Sequence, residues 1–173
     1  MSERTIHNPS DRETVTFLVT GDESGGAFIR YEVRFAKGGS SAHEHRHPFQ
    51  NQSIRVVRGR MGFSIDGVSR VYEAGETLDI PPGTRHGQWN AGDEELVMVQ
   101  EQRPAGRMEE FLRTVFGLVR DGRMNTFQAA VMLSEYEDCT RHVGWKALVL
   151  RAIAVVARRL GYTANHAEYL TDG

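Results

Sequence analysis

The sequence predicts a mainly β domain, an antiparallel barrel or sandwich, followed by an α-helical extension. Two observations carry this. Between residue 14 and about residue 103, apolar side chains recur at every second position, in short runs broken by Gly, Pro, Asn or Asp. Past Pro104 the spacing changes to the three-and-four pattern of helices. The division this suggests is a barrel in residues 1–105 and a helical extension in 106–173.

The strand reading is clearest in Phe28 to Phe35. Ile29, Tyr31, Val33 and Phe35 fall on one side while Arg30, Glu32 and Arg34 fall on the other, the pattern of a sheet with one wet face. Further strands are expected at 15–20, 53–57, 62–65, 71–72, 77–80 and 96–101, with hairpin turns at Ile65-Asp66-Gly67 and Ala91-Gly92-Asp93. In the extension, Phe111, Leu112, Val115, Phe116 and Val119 make a helical stripe that Asp121-Gly122 ends. A second helix is expected over 126–136 and a third over 145–160. The third is apolar over most of its circumference and is expected to be well buried.

Composition narrows the partners. With 173 residues, 39% of them hydrophobic, the chain can bury roughly two thirds of its unfolded surface and needs no cofactor merely to fold. Lys and Arg number 21 against 23 Asp and Glu, so no overall charge favours nucleic acid, and a small molecule is the expected partner. The one cysteine, Cys139, has no internal partner for a disulfide, and the first residues lack a signal-like apolar stretch, so a cytoplasmic location is expected. No apolar run reaches the roughly 18 residues of a spanning helix.

Two segments carry chemistry. Gly39-Ser-Ser-Ala-His43-Glu-His45-Arg-His47 places three histidines at period two, so on a strand they share one face. Taken alone, such a row is a metal site or a solvated histidine-rich edge. Gly75 to Asn90 then gives a strand, the turn Pro81-Pro82-Gly83, and His86 opening another strand, so the turn can fix where His86 points.

These segments resemble the two motifs of the cupin superfamily. Gly39, His45, His47, Gln52 and Gly59 stand at the spacings of the first motif, and Gly75, Pro81, Gly83, His86 and Asn90 at those of the second. The resemblance implies a small antiparallel jelly-roll barrel over roughly 14–103, with one divalent transition metal (Fe, Mn, Ni, Co or Zn) held by His45, His47, Gln52 and His86. The departure is Gln52, where the motif has glutamate. An amide oxygen can still bind a metal, but it is neutral and cannot act as a base. The alternative is a three-histidine site with Gln52 turned elsewhere.

Three classes of function follow from the resemblance and this substitution. The first is a non-haem metal dioxygenase; the second is a redox-neutral Lewis-acid isomerase, cyclase or lyase; the third is a non-catalytic ligand-binding module. A neutral donor set leaves the charge of the ion uncompensated and favours an anionic or enolisable substrate. Tyr31 and Glu101 are candidate acid–base partners, and His43, Arg85 and Trp89 candidate substrate contacts. His7, His142 and His166 are expected on the surface. The apolar last helix suggests a homodimer, with an anionic membrane surface as the alternative partner of its basic flank.

Overall fold

The computed structural model describes residues 4–40, 44–142 and 145–170. Among these, nine strands form two antiparallel sheets: β1 (Thr5–Asn8), β2 (Glu13–Val19), β3 (Ile29–Phe35), β4 (Asn51–Arg58), β5 (Arg60–Ile65), β6 (Val68–Glu73), β7 (Thr77–Ile80), β8 (His86–Asn90) and β9 (Leu96–Arg103). The larger sheet runs β1-β2-β3-β9-β4-β7 and the smaller β6-β5-β8. Inward side chains of the larger sheet, among them Val15, Phe17, Val33, Ile54 and Met98, share one buried cluster with Met61 and Phe63 of the smaller. This is the antiparallel jelly-roll barrel that the alternation and the motifs predict. The alternation did not mark β1, whose four residues carry a single apolar side chain, Ile6, and which is held by its ladder to β2.

The turns follow the residue chemistry. Asp66 and Gly67 both take positive φ (48° and 86°), as the two-residue hairpin between β5 and β6 requires. Gly59, between β4 and β5, has φ of 82°, and a Cβ there would stand 2.9 Å from the Glu95 carbonyl oxygen, so both backbone conformation and space demand glycine. Asn90 closes the second motif by donating from its side-chain amide to the carbonyls of Phe35, Ala36 and Glu94 at 2.7–3.2 Å.

The extension holds α1 (Met108–Arg120), α2 (Thr126–Glu135) and α3 (Trp145–Arg159). Glu109 and Glu110 sit in the first turn of α1, where the helix dipole favours negative charge. Asn125 caps α2 by accepting from the amides of Phe127 and Gln128 at 3.0 and 3.1 Å. Met108, Phe116 and Leu118 of α1 belong to the same buried cluster as the barrel strands, so barrel and extension share a core.

The third helix differs from expectation. It packs on α2 through its small face, where Ala154 and Ala157 meet Ala130 and Val131 with Leu150 and Ile153 alongside. Small residues let the two helices approach, which turns the large ones outward: Trp145, Leu148 and Leu160 are 64–70% exposed and Val155 and Val156 about half exposed. Among the described residues no helix is long and apolar enough to cross a membrane.

Candidate metal centre and its cavity

The backbone brings the histidines together. His45 and His86 exchange backbone hydrogen bonds of 2.9 and 2.8 Å across an isolated antiparallel bridge, and Gly83 of the proline-glycine turn donates to the His47 carbonyl at 2.7 Å. The three ring centroids lie 4.6–5.2 Å apart. One ligand atom from each of His45, His47 and His86 falls within 4.8 Å of the others, the single such grouping among the described residues. Phe63 stacks on the His86 ring at 5.6 Å and holds its plane.

Two carbonyls set the tautomers. His47 Nδ1 lies 2.7 Å from the Cys139 oxygen and His86 Nδ1 lies 2.9 Å from the Thr84 oxygen. A carbonyl can only accept, so each Nδ1 bears the proton and each Nε2 keeps a lone pair. Burial holds His47 well below the usual imidazole range, with the neighbouring His45 adding to it against the Cys139 hydrogen bond; burial also lowers His86. Both rings are therefore neutral near pH 7, as metal ligation requires.

The donor set fits a cation. His86 Nε2 and Gln52 Oε1 are both buried without a hydrogen-bond partner among the described residues. Two orphaned lone pairs of this kind cost about 1–3 kcal/mol each, and a bound cation would satisfy both. Gln52 Nε2 donates to Gln100 Oε1 at 2.8 Å, and Gln100 in turn donates to Gln88 Oε1 at 3.1 Å, so the amide of Gln52 is held in a defined orientation. His47 Nε2 accepts from Gln102 Nε2 at 3.1 Å, so a metal would compete with that amide.

These groups open into a cavity of about 630 Å³. Its walls are mostly apolar: Tyr31 and Val33 from β3, Met108, Phe111, Leu112 and Val115 from α1, and Trp145 from the start of α3. Burial, with the nearby Glu13 charge adding, pushes the Tyr31 phenol up, so its hydroxyl remains a donor; it reaches Gln100 Oε1 at 3.4 Å. Glu13 also lines the cavity, and burial with the Asp11 charge pushes its carboxyl up to about 8.

Of the residues singled out from the sequence, the cavity gathers Tyr31, His45, His47, Gln52 and His86. Glu101 does not line it: on β9 it has the outward parity opposite to Gln100 and Gln102, and it pairs with Arg30 and Arg103 at 2.6 Å. Arg85 points outward and pairs with Glu44. Trp89 lies over Gly62, where an added Cβ would meet its ring at 2.1 Å, and does not reach the cavity either. His43 lies outside the described residues. The surface expectation holds for the exposed His7, but His166 is 5% exposed, boxed in by Gln128 and the Thr163 carbonyl, and His142 lines the cavity.

Sequence reasoning missed Glu13, Gln88, Gln100 and Gln102. Their signal was parity: Gln100 and Gln102 continue the inward row of Leu96 and Met98, and Glu13 that of Val15 and Phe17. A polar side chain in a core row calls for a partner or a site.

Two predictions follow from this geometry. Protein prepared without chelators should carry about one divalent transition metal per chain by elemental analysis, and His45→Ala/His86→Ala should lose it; full occupancy in the double variant would remove the assignment. For Glu13, the folded state holds its proton up to about pH 8 while the unfolded chain releases it near the ordinary 4.5, so stability falls as pH rises across that window. Glu13→Gln lacks this loss and should unfold at higher denaturant than wild type at pH 8.5, by an amount on the order of 3 kcal/mol, with the difference nearly gone at pH 4.5. Parallel pH curves for the two proteins would show that Glu13 is not held neutral.

Comparison with known proteins agrees with the fold and the motifs. The family profile for the cupin domain matches residues 31–100. A curated relative from Streptomyces cyaneus, named polyketide synthase CurC, is 38% identical over 93 residues, covering 54% of this chain and 58% of its own length. Protein SchB from Streptomyces halstedii is 29% identical over 85 residues, covering 49% and 62%. The chain thus spans about three fifths of these relatives. Among solved structures, a cupin-like protein from Thermotoga maritima superposes with a TM-score of 0.50 at 28% identity, over 60% of this chain and 75% of that one. An RmlC-like cupin from Shewanella frigidimarina gives 0.51 at 22%, over 63% and 89%. The profile match, the motif histidines and the two-sheet barrel together make residues 31–100 a domain of the cupin superfamily.

Proposed function

We propose that this cupin is a metal-dependent, redox-neutral cyclase that closes rings in an enolisable polycarbonyl chain. The observation that carries this reading is a neutral donor set opening into a mostly apolar cavity of about 630 Å³. His45, His47 and His86 would hold the metal, with Gln52 Oε1 as a neutral fourth donor. A divalent ion there would supply Lewis-acid polarisation of a bound carbonyl. Tyr31, kept protonated by burial, donates a hydrogen bond to a second substrate oxygen. The linked amides of Gln52, Gln100 and Gln88 fix the positions of those polar contacts, and the α1 side chains exclude water and hold the flexible chain folded.

The name of the Streptomyces cyaneus relative, a polyketide synthase, supports a polycarbonyl substrate. Such a substrate enolises readily, and a carboxylate-free donor set gives the metal its greatest pull on it. For these reasons we rank ring closure ahead of the dioxygenase and the non-catalytic module.

The test is incubation of zinc-loaded protein with a linear poly-β-ketone thioester. Ring closure with loss of water and no oxygen uptake is expected, abolished in His86→Ala; stoichiometric oxygen uptake would favour the oxygenase instead. Gln52→Glu should bind zinc at least as tightly and close rings at least about tenfold more slowly, since its carboxylate offsets the charge of the ion.

We also propose that the chain forms a homodimer through α3. Trp145, Leu148, Ala152 and Val155 recur at three-and-four spacing on its outer face, a stripe that a second copy can match by two-fold symmetry. Sedimentation equilibrium should give a dimer for wild type and a shift to monomer in Leu148→Asp/Val155→Asp; a monomeric wild type would remove the dimer.

A further inference from the structure

The cavity has polar groups at two ends and apolar walls between them. One end holds the three histidines, Gln52 and Gln102; the other holds Asn8, Asp11 and Glu13. Strand register separates the two ends. Ile29, Gln102 and Gln52 share one row of the larger sheet, while Glu13 lies opposite Phe35, six residues further along β3. At ~3.3 Å per strand residue the two rows are roughly 20 Å apart along the strand direction.

Glu13 lines this space, and its side chain has no partner among the described residues. It has the inward parity of Val15 and Phe17, and its side chain makes no hydrogen bond or ion pair among the described residues. Its neighbours are engaged elsewhere. Asn8 donates to Asp11 at 2.8 Å and accepts from the amides of Ser10 and Asp11 in the hairpin turn. On α1, the charges of Glu109 and Arg113 pair with each other at 2.9 Å. A carboxyl in that position is left to a ligand atom.

We propose that Glu13 anchors the far end of an elongated substrate, by a hydrogen bond to a carbonyl or hydroxyl oxygen several carbons from the oxygens held at the histidine end. The proposal deepens the cyclase reading and rests on it for the chemical class of the ligand. Among the described residues, the titratable groups whose charges couple to Glu13 are Asp11 of its own hairpin and Tyr31 of β3; β1 contributes Asn8, and α1 presents apolar side chains to the cavity. Burial and Asp11 together keep the carboxyl protonated at neutral pH, so it offers the O–H that a ketone oxygen needs. With the metal end and the Glu13 end both fixed, the site measures the distance between two oxygens. Chain length then decides which carbonyl lies at the histidines, and so which ring would close.

The test is calorimetric binding to zinc-loaded protein at pH 7. The probes are pentane-2,4-dione, tridecane-2,4-dione, and tridecane-2,4-diones carrying a third ketone at carbon 8, 10 or 12. One position of the third ketone should raise affinity about five- to tenfold over tridecane-2,4-dione, the effect of one hydrogen bond. That gain should vanish in Glu13→Leu and survive in part in Glu13→Gln, whose amide still donates. Pentane-2,4-dione should bind all three proteins alike. A gain that persists in Glu13→Leu, or wild-type protein indifferent to the third ketone at every position, would overturn the anchor. If pentane-2,4-dione fails to bind while the Glu13-dependent gain remains, the anchor stands and the metal-end reading falls. Glu13 is only partly buried and has the parity of Val15 and Phe17, so Glu13→Leu continues an apolar row and is expected to fold.

Discussion

Two hydrogen bonds from imidazole to backbone carbonyl organise this protein. His47 to Cys139 and His86 to Thr84 fix which nitrogen carries the proton, and so aim two lone pairs at one point inside the barrel. Without them each ring could flip or turn its N–H inward, and the buried cluster would become three polar groups in an apolar core. The carbonyl partners come from different places. Thr84 belongs to the proline-glycine turn of the barrel, whereas Cys139 follows α2 in the extension. The barrel by itself therefore orients one ring of this pair, and the helices orient the other.

Around that centre, polar groups are few and positioned. The amides of Gln52, Gln100 and Gln88 are linked in series, which lets a barrel interior carry hydrogen-bonding groups without a net charge while Gln52 Oε1 stays open. The neutrality matters because carboxylate ligands would share the charge of an ion before a substrate arrived. The α1 face completes the enclosure with side chains that contribute no dipole of their own. An environment of this kind weakens competition from water and strengthens each contact made to substrate oxygen.

Much of this was legible in the sequence, and the limits have physical causes. The inward row of β3, the Asp66-Gly67 turn and the histidine spacings were readable because each depends on local geometry: strand period, positive φ, and the fixed reach of a tight turn. Glu101 was misplaced because its position was judged from the strand end, while parity against Gln100 puts it on the wet face among arginines. Arg85 was judged by its place beside His86 and Trp89 by its flat ring, but both stand at odd offsets from His86, and such strand residues point to the opposite side. The burial of α3 failed for another reason. Composition told how much of that helix is apolar, yet the small Ala154 and Ala157, not the large residues, chose the packing face. His166 was hidden because its partners, Gln128 and Thr163, are distant in the chain or unremarkable beside it.

The bond from His47 to the Cys139 carbonyl has a thermodynamic corollary. Arg107 ties the same segment through Asp138 and the Glu135 carbonyl, and Arg46 and Arg141 join it to the histidine segment by paired backbone bonds. Were a metal held by His47, its binding and the docking of this segment would be linked: whatever free energy the docked segment lent to the ion, the ion would return to the docked segment. Loss of such an ion would then be felt first where residues 135–141 meet residues 45–47.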